Sequence, residues 1–207
     1  FAAMYPFITG HQPKRTTILA EAKPVLNGAV TGITAGAYDN IPVPGAKVEI
    51  YRVNPKTGAR EGKALLSRVT AADGRWGPLT ADPKAYYEFV VQVPGQPVTH
   101  IYRSPFPRGS SVVFLRPAQL GKGDDAAESL VMMSRPRGYF GVGRDKILLD
   151  GKQPPGLHAS VPVDATAKLA LSASPQRAVA GTFRNETITA RNWPMKDKEV
   201  SIIEFTY

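Results

Sequence analysis

The chain has 207 residues, 43% apolar and 21% charged, the composition of an ordinary soluble globular protein long enough to bury real cores. It has no apolar run of the roughly 18 residues a membrane-spanning helix needs, and no cysteine, which excludes disulfides and thiolate metal sites. The net charge of +9 comes from scattered groups such as Lys14-Arg15, Arg135-Pro136-Arg137 and Lys196-Asp197-Lys198. It reads first as surface charge acting on solubility and association, and second as attraction to polyanions or anionic membranes. No nucleic-acid motif accompanies it.

In chain order, Phe1, Met4, Tyr5 and Ile8 fall at helical spacing, with Gly10 as a C-terminal stop and Pro6 as a residue that would kink or break the helix. This helix has an apolar face and no other helix to cover it, so it is expected to pack on a partner chain or on the outside of a sandwich. The first residue is Phe and no signal-peptide pattern follows, so the chain is expected to be part of something longer or a processed product. After a polar connector, residues 25–33 read as a strand with Gly28 and Gly32 at bulges or close approaches. Residues 46–53 alternate apolar and polar with a period of two, as a half-buried strand does.

Further strands are expected at 64–70, 86–93, 98–103 and 111–115. Asp73-Gly74 lies between strand-like segments, a hairpin signal because Gly accepts positive φ. The expectation is an antiparallel β-sandwich, transthyretin- or immunoglobulin-like, of about seven strands over residues 24–117. Residues 118–127, with Gly121, Gly123, Asp124 and Asp125, read as a linker. Beyond it, segments 129–133, 139–142, 146–149, 168–173, 183–190 and 200–206 suggest a second all-β module over 128–207.

Chemistry is sparse in this pattern. No serine sits in a Gly-x-Ser-x-Gly context; Gly109-Ser110-Ser111 lacks the second glycine and leads into a strand. His11, His100 and His158 are far apart and none has metal-ligand spacing, so no metal or cofactor is expected. His100, in an alternating strand, reads as a surface or edge residue. Asp73 belongs to its turn, Asp124-Asp125 to the linker, and Asn185-Glu186-Thr187 is a formal glycosylation sequon. Among the aromatics, Phe106, Trp76 and Tyr102 are the candidates for substrate contact. Core packing is the competing reading, because aromatic rings suit pleated surfaces. Phe106 stands out because Pro105 and Pro107 restrict its loop to extended backbone.

Two stretches carry a family resemblance. Residues 1–10 resemble the last helix of an α/β-hydrolase catalytic domain. Val43-Pro44-Gly45-Ala46-Lys47-Val48-Glu49-Ile50-Tyr51, followed by Val69-Thr70-Ala71-Ala72-Asp73-Gly74-Arg75-Trp76-Gly77, resembles the carboxypeptidase-regulatory-like, transthyretin-type sandwich. Together they resemble bacterial and archaeal lipase- or esterase-like proteins that carry C-terminal β modules. The resemblance implies that residues 1–23 are the end of an upstream hydrolase domain plus connector. It also implies a non-catalytic part that packs on that domain and shapes the entrance for a lipid or polyester substrate, in an exported protein, periplasmic or extracellular. The catalytic residues of such a carboxylic ester hydrolase would lie upstream. The alternative is a free-standing carbohydrate- or protein-binding (adhesion) module.

Overall fold

The computed structural model of the chain describes residues 3–34, 37–172 and 175–206. Among the described residues, helix α1 (Met4–Thr9) precedes fourteen strands. The first eight are β1 (Val25–Leu26), β2 (Thr31–Thr34), β3 (Ala37–Pro42), β4 (Lys47–Val53), β5 (Leu66–Val69), β6 (Leu79–Thr80), β7 (Tyr86–Gln92) and β8 (Val98–Arg103). Then come β9 (Ser129–Ser134), β10 (Ile147–Leu149), β11 (Thr166–Leu171), β12 (Ala178–Phe183), β13 (Glu186–Arg191) and β14 (Glu199–Glu204). The fold is all-β, as the strand-rich sequence predicts.

Seven strands form one sheet in the order β11-β9-β14-β8-β7-β4-β5, β10-β12-β13 form a second, and β1-β6 and β2-β3 are short pairs. Pairing is antiparallel except at β14, which lies between β8 and β9 and runs parallel to both. The expected linker at 118–127 falls between β8 and β9, and the large sheet continues on both sides of it. Within that stretch residues 124–126 make one 3-10 turn.

The large sheet buries both faces along its centre. One face carries Val48, Ile50, Phe89, Ile101, Leu130, Met132 and Ile202 into a core shared with Leu26, Trp76 and Leu115. The other carries Tyr102, Val131, Met133 and Ile203 into a core with Val179, Phe183 and Ile188 of the second sheet. Strands covered on both sides lose the apolar–polar alternation and become nearly continuous apolar runs. β4, near one edge, keeps its alternation.

Several local expectations meet their physical reasons here. Gly28 is a close approach: a Cβ there would lie 1.8 Å from the Val113 carbonyl oxygen. The β2–β3 register shifts between Thr31 and Ile33, around Gly32. The Asp73-Gly74 turn forms, with Gly74 at φ 66°, but its arms do not make a hairpin. β5 pairs with β4, whereas Arg75 bridges Ala29. Residues 111–115 make one isolated bridge, Leu115 to Val30 just before β2, instead of a strand, with Ser110 bridging Leu26 of β1, and residues 139–142 contribute one bridge, Phe140 to Asp164.

The expected single strand 183–190 is instead the β12–β13 hairpin, turning at Arg184 with φ 56°. Residue 173 lies outside the described residues, as does Phe1. Pro6 sits in the first turn of α1, where the backbone N–H has no intrahelical acceptor to lose, so the helix continues to its Gly10 cap. Met4, Tyr5 and Ile8 are exposed, so the helix does not pack on the sandwich.

Candidate functional site

The residues singled out for substrate contact are all buried. Trp76 is fully enclosed, and its indole Nε1 donates to the Val113 carbonyl at 3.1 Å. Tyr102 is fully enclosed on the opposite face of the large sheet. Phe106 does not stand out from its loop: it is 7% exposed, with its ring centroid 6.2 Å from those of both Tyr87 and Phe89. Phe106 alone of the three lines a described cavity.

Tyr102 belongs to a closed ionic cluster on the side facing the second sheet. Glu88 at its centre accepts two bonds from Arg60, at 2.5 and 3.1 Å. His100 Nδ1 lies 2.7 Å from the same carboxylate, and the Tyr102 hydroxyl donates to it at 3.2 Å. Trp193 stacks on His100 with centroids 4.1 Å apart and donates its Nε1–H to the Tyr102 hydroxyl at 3.1 Å. The loop before Arg60 explains its reach. Asn54 Oδ1 accepts the amides of Lys56 and Thr57, and Gly58 takes a positive φ pressed against the backbone of Ala190, where a Cβ would come within 2.7 Å.

Burial opposes ionisation of Glu88, but the hydrogen bonds and charges of His100 and Arg60 outweigh it and hold the carboxyl below its ordinary range. Burial pushes the Tyr102 phenol up, so it stays a neutral donor. His100 is thus a core residue and not the surface residue its strand pattern suggests. With Glu88, His100 and Tyr102 all sealed, the cluster's chemistry is structural.

The open site lies across the sheet, where the parallel strands β8, β14 and β9 end side by side. Their C-terminal ends bring together Arg103, Glu204 and the turn Arg135-Pro136-Arg137. Two adjoining cavities, of about 200 and 460 Å³, share Arg116, Pro136, Arg137 and Glu204 as walls. Arg103 pairs with Glu204 and donates to the Phe114 carbonyl at 2.7 Å. Both residues of the pair are only 5% exposed. Burial pushes the Glu204 carboxyl up and the Arg103 guanidinium down, each against the pull of the other. Phe106, Val112 and Phe114 supply an apolar wall.

Elsewhere, His158 Nδ1 lies 3.0 Å from Asp164 in an exposed loop, but among the described hydrogen bonds none joins it to a serine hydroxyl. Among the described residues no group of three or more acidic or histidine side chains is placed to hold a metal, and no helix is long and apolar enough to cross a membrane.

In the sequence, Arg135 and Arg137 read only as scattered charge, and Arg103, Arg116 and Glu204 do not stand out. A signal was present: Glu88 and Glu204 each interrupt an otherwise apolar strand run, and a charge in such a run must find a partner when buried.

Fold and site together define an all-β module with a sealed ionic cluster on one face and an arginine-lined groove on the other. Residues 25–120 match the family model of the lipase C-terminal domain, which supports a lipase C-terminal β module over this stretch. The match contains β1 to β8 and the groove residues Arg103, Phe106 and Arg116; Arg137 and Glu204 lie beyond it. No curated protein matches the chain.

Proposed function

We propose that the chain is the non-catalytic C-terminal part of an exported lipase- or esterase-like hydrolase. It packs on an α/β-hydrolase catalytic domain and helps shape the approach of a lipid or polyester substrate. The observation that carries this reading is the lipase C-terminal domain match over residues 25–120. The exposed apolar residues of α1 support it, since Met4, Tyr5, Phe7 and Ile8 offer a surface that a neighbouring domain would cover. The alternative, a carbohydrate-binding or adhesion module, would use an exposed aromatic platform, and Trp76, Tyr102 and Phe106 are instead packed inside.

The test is turnover of p-nitrophenyl esters by the chain alone and by the chain together with a lipase-type catalytic domain. The expected result is no turnover alone and a higher kcat/KM on long-chain esters when both parts are present. Turnover by the chain alone that disappears in Ser110→Ala or His11→Ala would overturn the proposal.

A further inference from the structure

Two loops beside the second sheet meet and leave apolar side chains in solvent. Phe140 bridges Asp164 in antiparallel register, its N–H donating to the Asp164 carbonyl at 2.8 Å. Phe140 turns into the core, so its neighbour Tyr139 and, across the bridge, Val163 take the outer face. Val161 joins them: its carbonyl accepts the Val163 N–H at 3.0 Å, and it lies with Gly141 and Val142 at a shallow cavity. Tyr139, Val161 and Val163 are 53%, 51% and 52% exposed. The loop that carries the valines is fixed at its neck. Asp164 accepts the backbone N–H of His158 at 2.6 Å and lies 3.0 Å from its Nδ1.

Basic groups surround this tip. Arg144 and Arg184 share the Asp145 carboxylate; the Asp145 side chain is covered, while both guanidiniums remain more than half exposed. Asp145 also accepts the Gly141 N–H at 3.1 Å, which ties the pair to the apolar patch. Arg135 is engaged, donating to the Tyr139 carbonyl and lying over the Phe183 ring. Arg137 and Lys146 are exposed. Along residues 135–146 and 157–165 the charges are thus Arg135, Arg137, Arg144 and Lys146 against Asp145 and Asp164. Three half-exposed side chains fall well short of the roughly 800 Å² per partner that a stable protein interface buries. An apolar tip with a tyrosine and a basic rim matches instead the boundary between anionic headgroups and acyl chains.

We propose that this tip docks the chain on an anionic lipid surface, with Tyr139, Val161 and Val163 entering the headgroup layer and Arg137, Arg144 and Arg184 meeting lipid phosphates. The neck held by Asp164 presents the valines already ordered, so little conformational freedom is lost on contact. The docking surface lies outside residues 25–120 and does not depend on the lipase role. It serves equally a chain that hydrolyses nothing.

Flotation of the full chain with vesicles of phosphatidylcholine alone, and of equimolar phosphatidylcholine and phosphatidylglycerol, tests this at low and high salt. Binding to the mixed vesicles is expected to be about tenfold tighter or more, and to weaken as salt rises. Val161→Ser combined with Val163→Ser, at exposed positions where folding is not at stake, is expected to weaken it about tenfold, and Arg137→Gln about fivefold. The matched control, Leu65→Ser with Val69→Ser, alters residues 52% and 62% exposed at the β5 edge and is expected to bind as the parent does. Absence of binding to mixed vesicles, unchanged binding in the valine variant, or loss in the control or in Phe7→Ser of α1 instead would each overturn the assignment. So would self-association of the chain that the valine variant abolishes without any vesicle binding, since the tip would then meet a second copy. The ester-turnover experiment is separate: vesicle binding with no effect on a catalytic domain would sink the lipase role and leave the docking surface standing.

Discussion

The two ionic clusters occupy opposite faces of one sheet and solve the same problem differently. Around Glu88, a carboxylate is met by a bidentate arginine, a histidine and a phenol, and aromatic rings close the space. Around Glu204, the carboxylate pairs with buried Arg103 at the mouth of a groove that Arg116 and Arg137 also line. A sealed cluster must be balanced from within, because no solvent or ligand can complete it. An open cluster can be completed in part by solvent. Alternation along β8 separates the two: Tyr102 points to the closed side and Arg103, its neighbour, to the open one.

Breaking the closed cluster is expected to have the largest effect. Glu88→Ala leaves Arg60, His100 and Tyr102 without their shared acceptor, and should cost about 3–5 kcal/mol of unfolding free energy in urea titration. A loss below about 1 kcal/mol would show that the cluster is not an interlocked unit. Next, Phe106→Ala should cost about 3 kcal/mol, the low end for a buried phenylalanine because one side of the ring already faces a cavity.

Acid titration sharpens the contrast, since the two carboxylates shift in opposite directions. The folded-state pKa of Glu88 lies below its ordinary value of 4.5, so its contribution is present above that pH and is lost as the pH falls through the depressed value. Glu204 lies above 4.5; it binds its proton more tightly when folded, and its contribution fades as the pH rises. Stability measured from pH 6 down to pH 3 should therefore fall less steeply in Glu88→Gln and more steeply in Glu204→Gln than in the parent. Equal slopes in all three would remove the distinction. The smallest effect is expected at the rim, where Arg137→Gln should change stability by no more than about 0.5 kcal/mol.

How legible these features are in the sequence depends on what covers each strand. β4 is plain because its neighbour β5 is the sheet edge and its polar residues reach solvent. β14 can be read as a strand at residues 200–206 but not as a parallel strand between β8 and β9, since its apolar run carries no record of its neighbours. The β12–β13 hairpin hides because Arg184-Asn185 lacks the glycine that usually marks a two-residue turn. Phe106 looks exposed by virtue of its prolines, yet those prolines hold extended backbone that carries the ring inward against Phe89. The groove is assembled from residues 103, 116, 137 and 204, a set that only the sheet order brings together. Its components read as scattered charge until β14 is placed.

The position of β14 also bears on how the molecule is assembled. Val98 pairs with Glu199 across about 100 positions of chain, so the centre of the large sheet closes only after a long loop has been gathered in. Until then β8 offers an open row of amides and carbonyls on one side and β9 another, both flanked by apolar side chains. Such edges recruit strands from other molecules. During synthesis the β4–β7–β8 half emerges first and must wait, unpaired at β8, for a strand from far downstream. Cleavage anywhere between residues 104 and 128 before that strand docks would leave two fragments with complementary sticky edges. The sheet's middle, the most protected place in the finished fold, is therefore its most vulnerable place on the way there.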